Sequence, residues 1–137
     1  MVDTPDGVEV VATGLQFPEG PIAMPDGSVI LVEIARGTLS RVTPDGAVEV
    51  VAEPGGGPNG AAFGPDGRVW VCNNGGFPSR IDNKGRVRIA EGNEGYIGGS
   101  IQAIDVDSGA VDTIYTECGG QPLMAPNDLV FDREGGF

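Results

Sequence analysis

The hydrophobic and polar positions of this chain alternate in short runs, each closed by a turn signal. The runs Ser28–Glu33, Thr38–Val42, Val48–Ala52, Arg68–Cys72, Ser100–Asp105 and Val111–Thr116 are rich in valine, isoleucine and threonine. β-branched side chains suit a pleated, half-buried surface, so each run is predicted to be a strand. No stretch sustains a 3.6-residue period, and helix is expected to be almost absent. Pro-Asp-Gly punctuates the runs at residues 5–7, 25–27, 44–46 and 65–67, with degenerate copies at Asp107-Ser108-Gly109 and Arg133-Glu134-Gly135. Proline presets φ for a tight turn and Asp-Gly completes it, so each copy joins two strands.

The turns are of two alternating kinds. Thr4-Pro5-Asp6-Gly7-Val8-Glu9-Val10-Val11-Ala12 returns as Thr43-Pro44-Asp45-Gly46-Ala47-Val48-Glu49-Val50-Val51-Ala52. The other kind opens with Pro18-Glu19-Gly20-Pro21, Pro58-Asn59-Gly60-Ala61 and Pro126-Asn127-Asp128-Leu129. The unit is therefore four strands, and Glu19 and Asn59 stand 40 residues apart, the spacing of a propeller blade. Asn59 and Asn127 are 68 apart, and the excess falls in a long insertion, about residues 77–99, within the second blade. There Arg80–Ala90 reads as a hairpin of its own around Asp82-Asn83-Lys84-Gly85. The fold class predicted is all-β, a partial β-propeller of about two blades plus flanking strands. A β-sandwich is the runner-up, but it leaves the matched polar positions unexplained. Val8–Ala12 is expected to be an outer strand without its own blade, and Asn127–Phe131 the first strand of a third. A closed ring needs at least four blades, so residues 1–137 read as the N-terminal part of a single propeller domain in a longer protein.

Composition narrows the chemistry. The 137 residues carry 8 basic and 20 acidic side chains, a net charge of −12, and no histidine. Histidine-based triads and histidine-ligated zinc or haem are excluded. An acidic surface makes nucleic acid and membrane poor partners. Met1-Val2-Asp3-Thr4-Pro5 lacks the basic and apolar regions of a signal peptide, and Cys72 and Cys118 match no disulfide or metal spacing. The location expected is cytoplasmic.

Glu19, Asn59 and Asn127 occupy one repeat position, at the start of the strand that lines a propeller's channel. One carboxylate and two amide oxygens aimed at a common axis favour a hard divalent cation, Ca²⁺ first, then Mg²⁺ or Mn²⁺. Taken singly, each Pro-Asn-Gly reads as a turn; the matched position makes all three candidate metal ligands. Asp6, Asp26, Asp45 and Asp66 sit inside turns and read as structural. Asn73 and Asn74, in Cys72-Asn73-Asn74-Gly75-Gly76, read equally as a polar pocket wall that binds substrate or as a glycine-rich bend. Arg36 and Arg80 are weighed as anion-orienting groups against ordinary solvated arginines. Glu33 reads either as a channel acid or as a solvent-facing strand residue.

Phe17-Pro18-Glu19-Gly20-Pro21, Pro58-Asn59-Gly60, Val69-Trp70-Val71-Cys72-Asn73-Asn74-Gly75-Gly76 and Ala125-Pro126-Asn127-Asp128-Leu129-Val130-Phe131-Asp132, in this order, resemble the gluconolactonase and regucalcin-like (senescence marker protein) lactonases. The resemblance implies a six-bladed propeller that hydrolyses a lactone, such as the sugar lactone gluconolactone, with one divalent metal on the axis (Ca²⁺, with Zn²⁺, Mg²⁺ and Mn²⁺ as alternatives). It implies that Glu19 and Asn127 bind the metal and that Asn59 contacts metal or substrate. The family's proposed base, an aspartate, lies beyond Phe137, so no catalytic base is assigned in this chain. Gly57 stands where some members have an arginine, which leaves the sugar specificity open. The partners expected are a small lactone substrate and the remainder of the propeller, and the 137-residue chain alone is expected to be inactive. A non-catalytic calcium-binding or scaffold propeller and a propeller phosphotriesterase are the alternatives.

Overall fold

The computed structural model describes residues 6–137, and Pro5 of the first Pro-Asp-Gly copy lies outside them. Among the described residues twelve strands run in chain order: β1 (Pro18–Ala23), β2 (Val29–Glu33), β3 (Thr38–Val42), β4 (Val48–Ala52), β5 (Pro58–Phe63), β6 (Val69–Asn73), β7 (Ser79–Ile81), β8 (Val87–Ile89), β9 (Ser100–Ile104), β10 (Val111–Tyr115), β11 (Glu117–Cys118) and β12 (Gln121–Pro122). They build two antiparallel four-stranded sheets, β1-β2-β3-β4 and β5-β6-β9-β10, with β7-β8 and β11-β12 as separate hairpins. Each large sheet is one blade, and there is no helix among the described residues. The fold is a partial β-propeller.

The Pro-Asp-Gly turns are built by their aspartates. Asp26 Oδ1 accepts the Ser28 amide at 2.9 Å and hydroxyl at 2.6 Å. Asp66 accepts the Arg68 amide, and Asp105, two residues before the degenerate Asp107-Ser108-Gly109 copy, takes the amides of Asp107 and Ser108 in the same way. Such Asx contacts satisfy turn donors locally, which is why these acids are structural.

The core lies between the two blades. Ile30, Val32, Leu39 and Ala52 of the first pack with Val69, Val71 and Ile104 of the second. The blades also meet through their turns. A β-carbon on Gly46 would fall 2.3 Å from the Val11 carbonyl oxygen, and one on Gly109 would fall 2.7 Å from that of Val51. Val11 and Val51 are equivalent in the repeat, as are Gly46 and Gly109, so Val8–Ala12 takes the outer position of a preceding blade. It is not a strand, however, and neither is Asn127–Phe131. A strand is defined by its ladder partner, and among the described residues none pairs with either segment. Trp70 packs edge-on against Phe131, with centroids 5.4 Å apart, and also against Phe137, on the second blade's outward face.

Candidate functional site

Glu19 is the second residue of β1 and Asn59 the second residue of β5, as the repeat requires. Both stand beside a β-bulge. On β1 the register slips between Glu19 and Ile22; on β5 Pro58 faces Asn73 and Gly60 faces Cys72, so Asn59 is the extra residue. A bulge bends the strand and re-aims the side chain at that point.

The backbones of the three candidate ligands stand side by side because the glycines after Glu19 and Asn59 let each backbone touch the next segment. A β-carbon on Gly20 would lie 2.6 Å from the Ala61 nitrogen and 3.1 Å from the Gly60 carbonyl carbon. One on Gly60 would lie 2.5 Å from Asp128 Cα and 2.7 Å from the Asn127 carbonyl oxygen. Only glycine permits these approaches. Glu19 and Asn127 are exposed, and Asn59 is half-buried. The lead-in to the site is strained at two equivalent positions: Phe17, before Pro18, has φ 61°, and Ala125, before Pro126, has φ 121°. L-residues rarely adopt such values, and strain of this kind collects at functional sites.

The polar residues that fix this edge are buried. Glu33, closing β2, is 0 % exposed. Its Oε1 accepts the Ser40 hydroxyl at 2.7 Å; its Oε2 accepts the Gln16 amide at 2.6 Å and pairs with Arg36 Nε at 3.2 Å. Glu33 is therefore neither a channel acid nor a solvent-facing residue, and Arg36, which also donates to the Gly14 carbonyl at 2.9 Å, is part of the same brace. Asn73, closing β6, is its counterpart, also 0 % exposed. Its Oδ1 accepts the amides of Gly57 (2.9 Å) and Gly75 (3.0 Å); its Nδ2 donates to the Gly55 carbonyl (2.8 Å) and to Gln102 Oε1 (2.9 Å). An amide side chain offers two donors and two acceptor sites, so the hydrogen-bonding capacity of Asn73 is filled internally. Asn74 is buried too; its Oδ1 accepts the Gly76 amide at 2.9 Å and occupies the space where a β-carbon of residue 57 would lie. A larger residue at Gly57 would therefore have to displace the buried Asn74 side chain. Of the two readings open to Asn73 and Asn74, the geometry favours the structural bend.

Sequence reasoning missed the pairing of Glu33 with Asn73. The signal was present: they are 40 residues apart, the same interval that separates Glu19 from Asn59.

Glu19 is the only carboxylate of the three matched positions, and among the described residues no cluster of three or more histidine, cysteine, aspartate or glutamate side chains is placed to hold a metal. The donor set of one carboxylate and two amides nonetheless fits a hard cation, whose ligands are commonly carboxylate, amide and carbonyl oxygens. Nearby, Cys72 lies beneath the 127–128 segment. Burial, then the charge of Asp128, pushes its thiol up to about 11, so it is an inert thiol at neutral pH.

Comparison with known proteins agrees with this architecture. A gluconolactonase of Zymomonas mobilis subsp. mobilis is 25% identical over 149 residues, covering 98% of this chain and 36% of that protein. The structure of a gluconolactonase from Xanthomonas campestris superposes with a TM-score of 0.66 at 20% identity, over 91% of this chain and 35% of its own. A second structure, assigned provisionally to the gluconolactonases, gives a TM-score of 0.66 at 19% identity, over 96% of this chain and 39% of its own. The chain thus spans little more than a third of the length of these relatives. The profile of the SMP-30/Gluconolactonase/LRE-like region matches residues 17–137, from the strained residue before Pro18 through all three candidate ligand positions, and the chain belongs to that family.

Proposed function

We propose that the whole protein containing this chain hydrolyses a lactone, with Glu19, Asn59 and Asn127 holding one divalent metal, Ca²⁺ in the first instance. The observation that carries the reading is that Glu19, Asn59 and Asn127, at one repeat position, stand on neighbouring backbone segments within a gluconolactonase-family chain. A metal held there would supply Lewis-acid polarisation of the lactone carbonyl and stabilisation of the negative charge that develops on its oxygen. Glu19 contributes the only negative charge of the three. Asn59 and Asn127 contribute amide oxygens, and the NH₂ groups left over are donors for substrate hydroxyls. Glu33 and Asn73 keep the lead-in loops fixed, so the oxygens need little reorganisation when a ligand binds. No residue of this chain is assigned as the base that takes the proton of the attacking water.

Turnover of a panel of sugar and aliphatic lactones by the whole protein, before and after chelation, tests the proposal. It predicts ring opening that chelator abolishes and Ca²⁺ or Mn²⁺ restores. Metal binding without turnover of any lactone would favour the non-catalytic alternative.

A further inference from the structure

The insertion between β6 and β9 carries a charge pattern that the fold does not require. Arg80, Lys84, Arg86 and Arg88, four of the chain's eight basic residues, lie on the β7-β8 hairpin with a single carboxylate, Asp82, in a protein of net charge −12. Asp82 is fully engaged: it accepts the Lys84 and Arg86 amides and pairs with Arg86 at 2.9 Å and Arg88 Nε at 3.1 Å. Arg80 has no ion-pair partner among the described residues, yet it faces Arg88 directly across the ladder. Like charges directly opposite destabilise a strand pair. Arg88 meets Asp82 through Nε at 3.1 Å, and its terminal nitrogens make no hydrogen bond among the described residues. Two exposed arginines at opposed ladder positions, one of them without a carboxylate partner among the described residues, carry positive charge that an anion would offset.

The hairpin stands at the edge where the candidate ligands begin. Pro58 pairs with Asn73, and Asn73 with Ser100, so the insertion leaves and returns beside the start of β5. Its roots touch the lead-in loops of both asparagines. A β-carbon on Gly76 would lie 3.3 Å from Gly56, and one on Gly99 would lie 2.6 Å from Pro126 Cδ. The Gly99 amide donates to the Leu123 carbonyl at 3.1 Å.

We infer that the β7-β8 hairpin is a phosphate-recognition arm, with Arg80 and Arg88 as its receptor pair, and that the preferred substrate is a lactone carrying a phosphate ester. The substrate class rests on the hydrolase reading above. A phosphate monoester brings nearly two negative charges and three acceptor oxygens, which suit two guanidiniums better than a single carboxylate does. On an acidic protein such an arm also offsets the repulsion an anionic substrate would meet elsewhere on the surface.

The test compares Arg80→Gln/Arg88→Gln with wild type and with Arg80→Lys/Arg88→Lys in the whole protein. Two substrates are used, glucono-δ-lactone and its 6-phosphate ester. The inference predicts a fall of about tenfold or more in kcat/KM for the phosphate ester, carried by KM and reduced by salt. The neutral lactone changes less than about twofold, and the lysine variant is largely restored. Equal effects on both lactones, or none on the ester, overturn it. A second arm measures binding of 6-phosphogluconate without turnover, and an unchanged dissociation constant in the glutamine variant overturns the inference whatever the lactone assay shows. If the wild-type protein opens no lactone but the glutamine variant binds 6-phosphogluconate about tenfold more weakly than wild type, the hydrolase reading is retired and the anion site stands. The exposed Ile81 and Ile89 alternate with the arginines along the hairpin. If loss of binding appears on anionic phospholipid vesicles while 6-phosphogluconate is inert, the arm is a membrane contact and the inference fails.

Discussion

Asn73 does for β5 what Glu33 does for β1: each ends a second strand, is fully buried, and ties down the loop that delivers a candidate ligand. Asn73→Ala would orphan two amides, one carbonyl and the Gln102 side-chain oxygen. Unsatisfied buried groups cost roughly 1–3 kcal/mol each, with partial relief by relaxation. We expect a loss of about 3 kcal/mol, read as a lower urea midpoint at unchanged slope. The two cysteines should separate cleanly. Cys118 is exposed and Cys72 buried, so alkylation near pH 8 should modify one thiol per native chain and two after denaturation. Two reactive native thiols would mean that the 127–128 segment does not cover Cys72. At this scale the sequence was half legible. Glu19 and Asn59 fell where the repeat put them, because position in a repeat is a property of order alone. Glu33 was misread because alternation assigns a face, whereas its burial comes from Ser40, Gln16 and Arg36, brought together by three separate loops and strands.

Strands were the most legible feature. Thr38–Val42 and Val48–Ala52 appear with the predicted bounds, and the other four predicted runs shift by one residue at one end or both. Val8–Ala12 and Asn127–Phe131 carry equally good strand sequences but no ladder, since pairing depends on what lies alongside. The glycines between inner strands give a prediction of their own. Gly60→Ala drives a methyl into Asp128 Cα, a backbone atom that cannot swing aside. Overpacking of this kind costs about 1–3 kcal/mol, and it should also weaken divalent-metal binding in the whole protein by parting Asn59 from Asn127. Stability loss with undiminished metal affinity would detach Gly60 from the site. The turns predict a pH dependence. Ser28, through its hydroxyl and then its amide, holds Asp26 below the ordinary carboxylate range; the Thr43 hydroxyl does so for Asp45, and Ser108, amide first, for Asp105. A carboxyl lowered by folding stabilises above its unfolded value of about 4, and that contribution is lost as pH falls through the lower folded value. An Asp26→Asn/Asp45→Asn/Asp105→Asn variant should therefore melt below wild type at pH 7, and the gap should close as pH falls to about 2. A gap independent of pH would assign these residues a purely steric role.

On the scale of the molecule, two blades share one core, and Trp70 and Tyr115 of the second form an aromatic cluster with Phe131 and Phe137 of the segment that follows. In the solved relatives this architecture occupies about a third of a longer chain. The propeller class was legible from turn spacing, and the family from four short motifs. The braces beneath them were not, because buried hydrogen bonds leave no period in sequence. With that cluster uncovered, the 137-residue chain alone is expected to self-associate in size-exclusion chromatography and to open lactones no faster than buffer. A monomer with enzyme-like turnover would place the whole chemistry within these residues. The central claim is that Glu19, Asn59 and Asn127 converge on one cation. Anomalous diffraction from crystals of the whole protein grown with Mn²⁺ tests it most directly. The account predicts a single strong peak bonded to a Glu19 carboxylate oxygen and to the Asn127 amide oxygen, with Asn59 in contact with the ion or its water. A Mn²⁺ peak away from Glu19, or none at this edge of the blades, would contradict it.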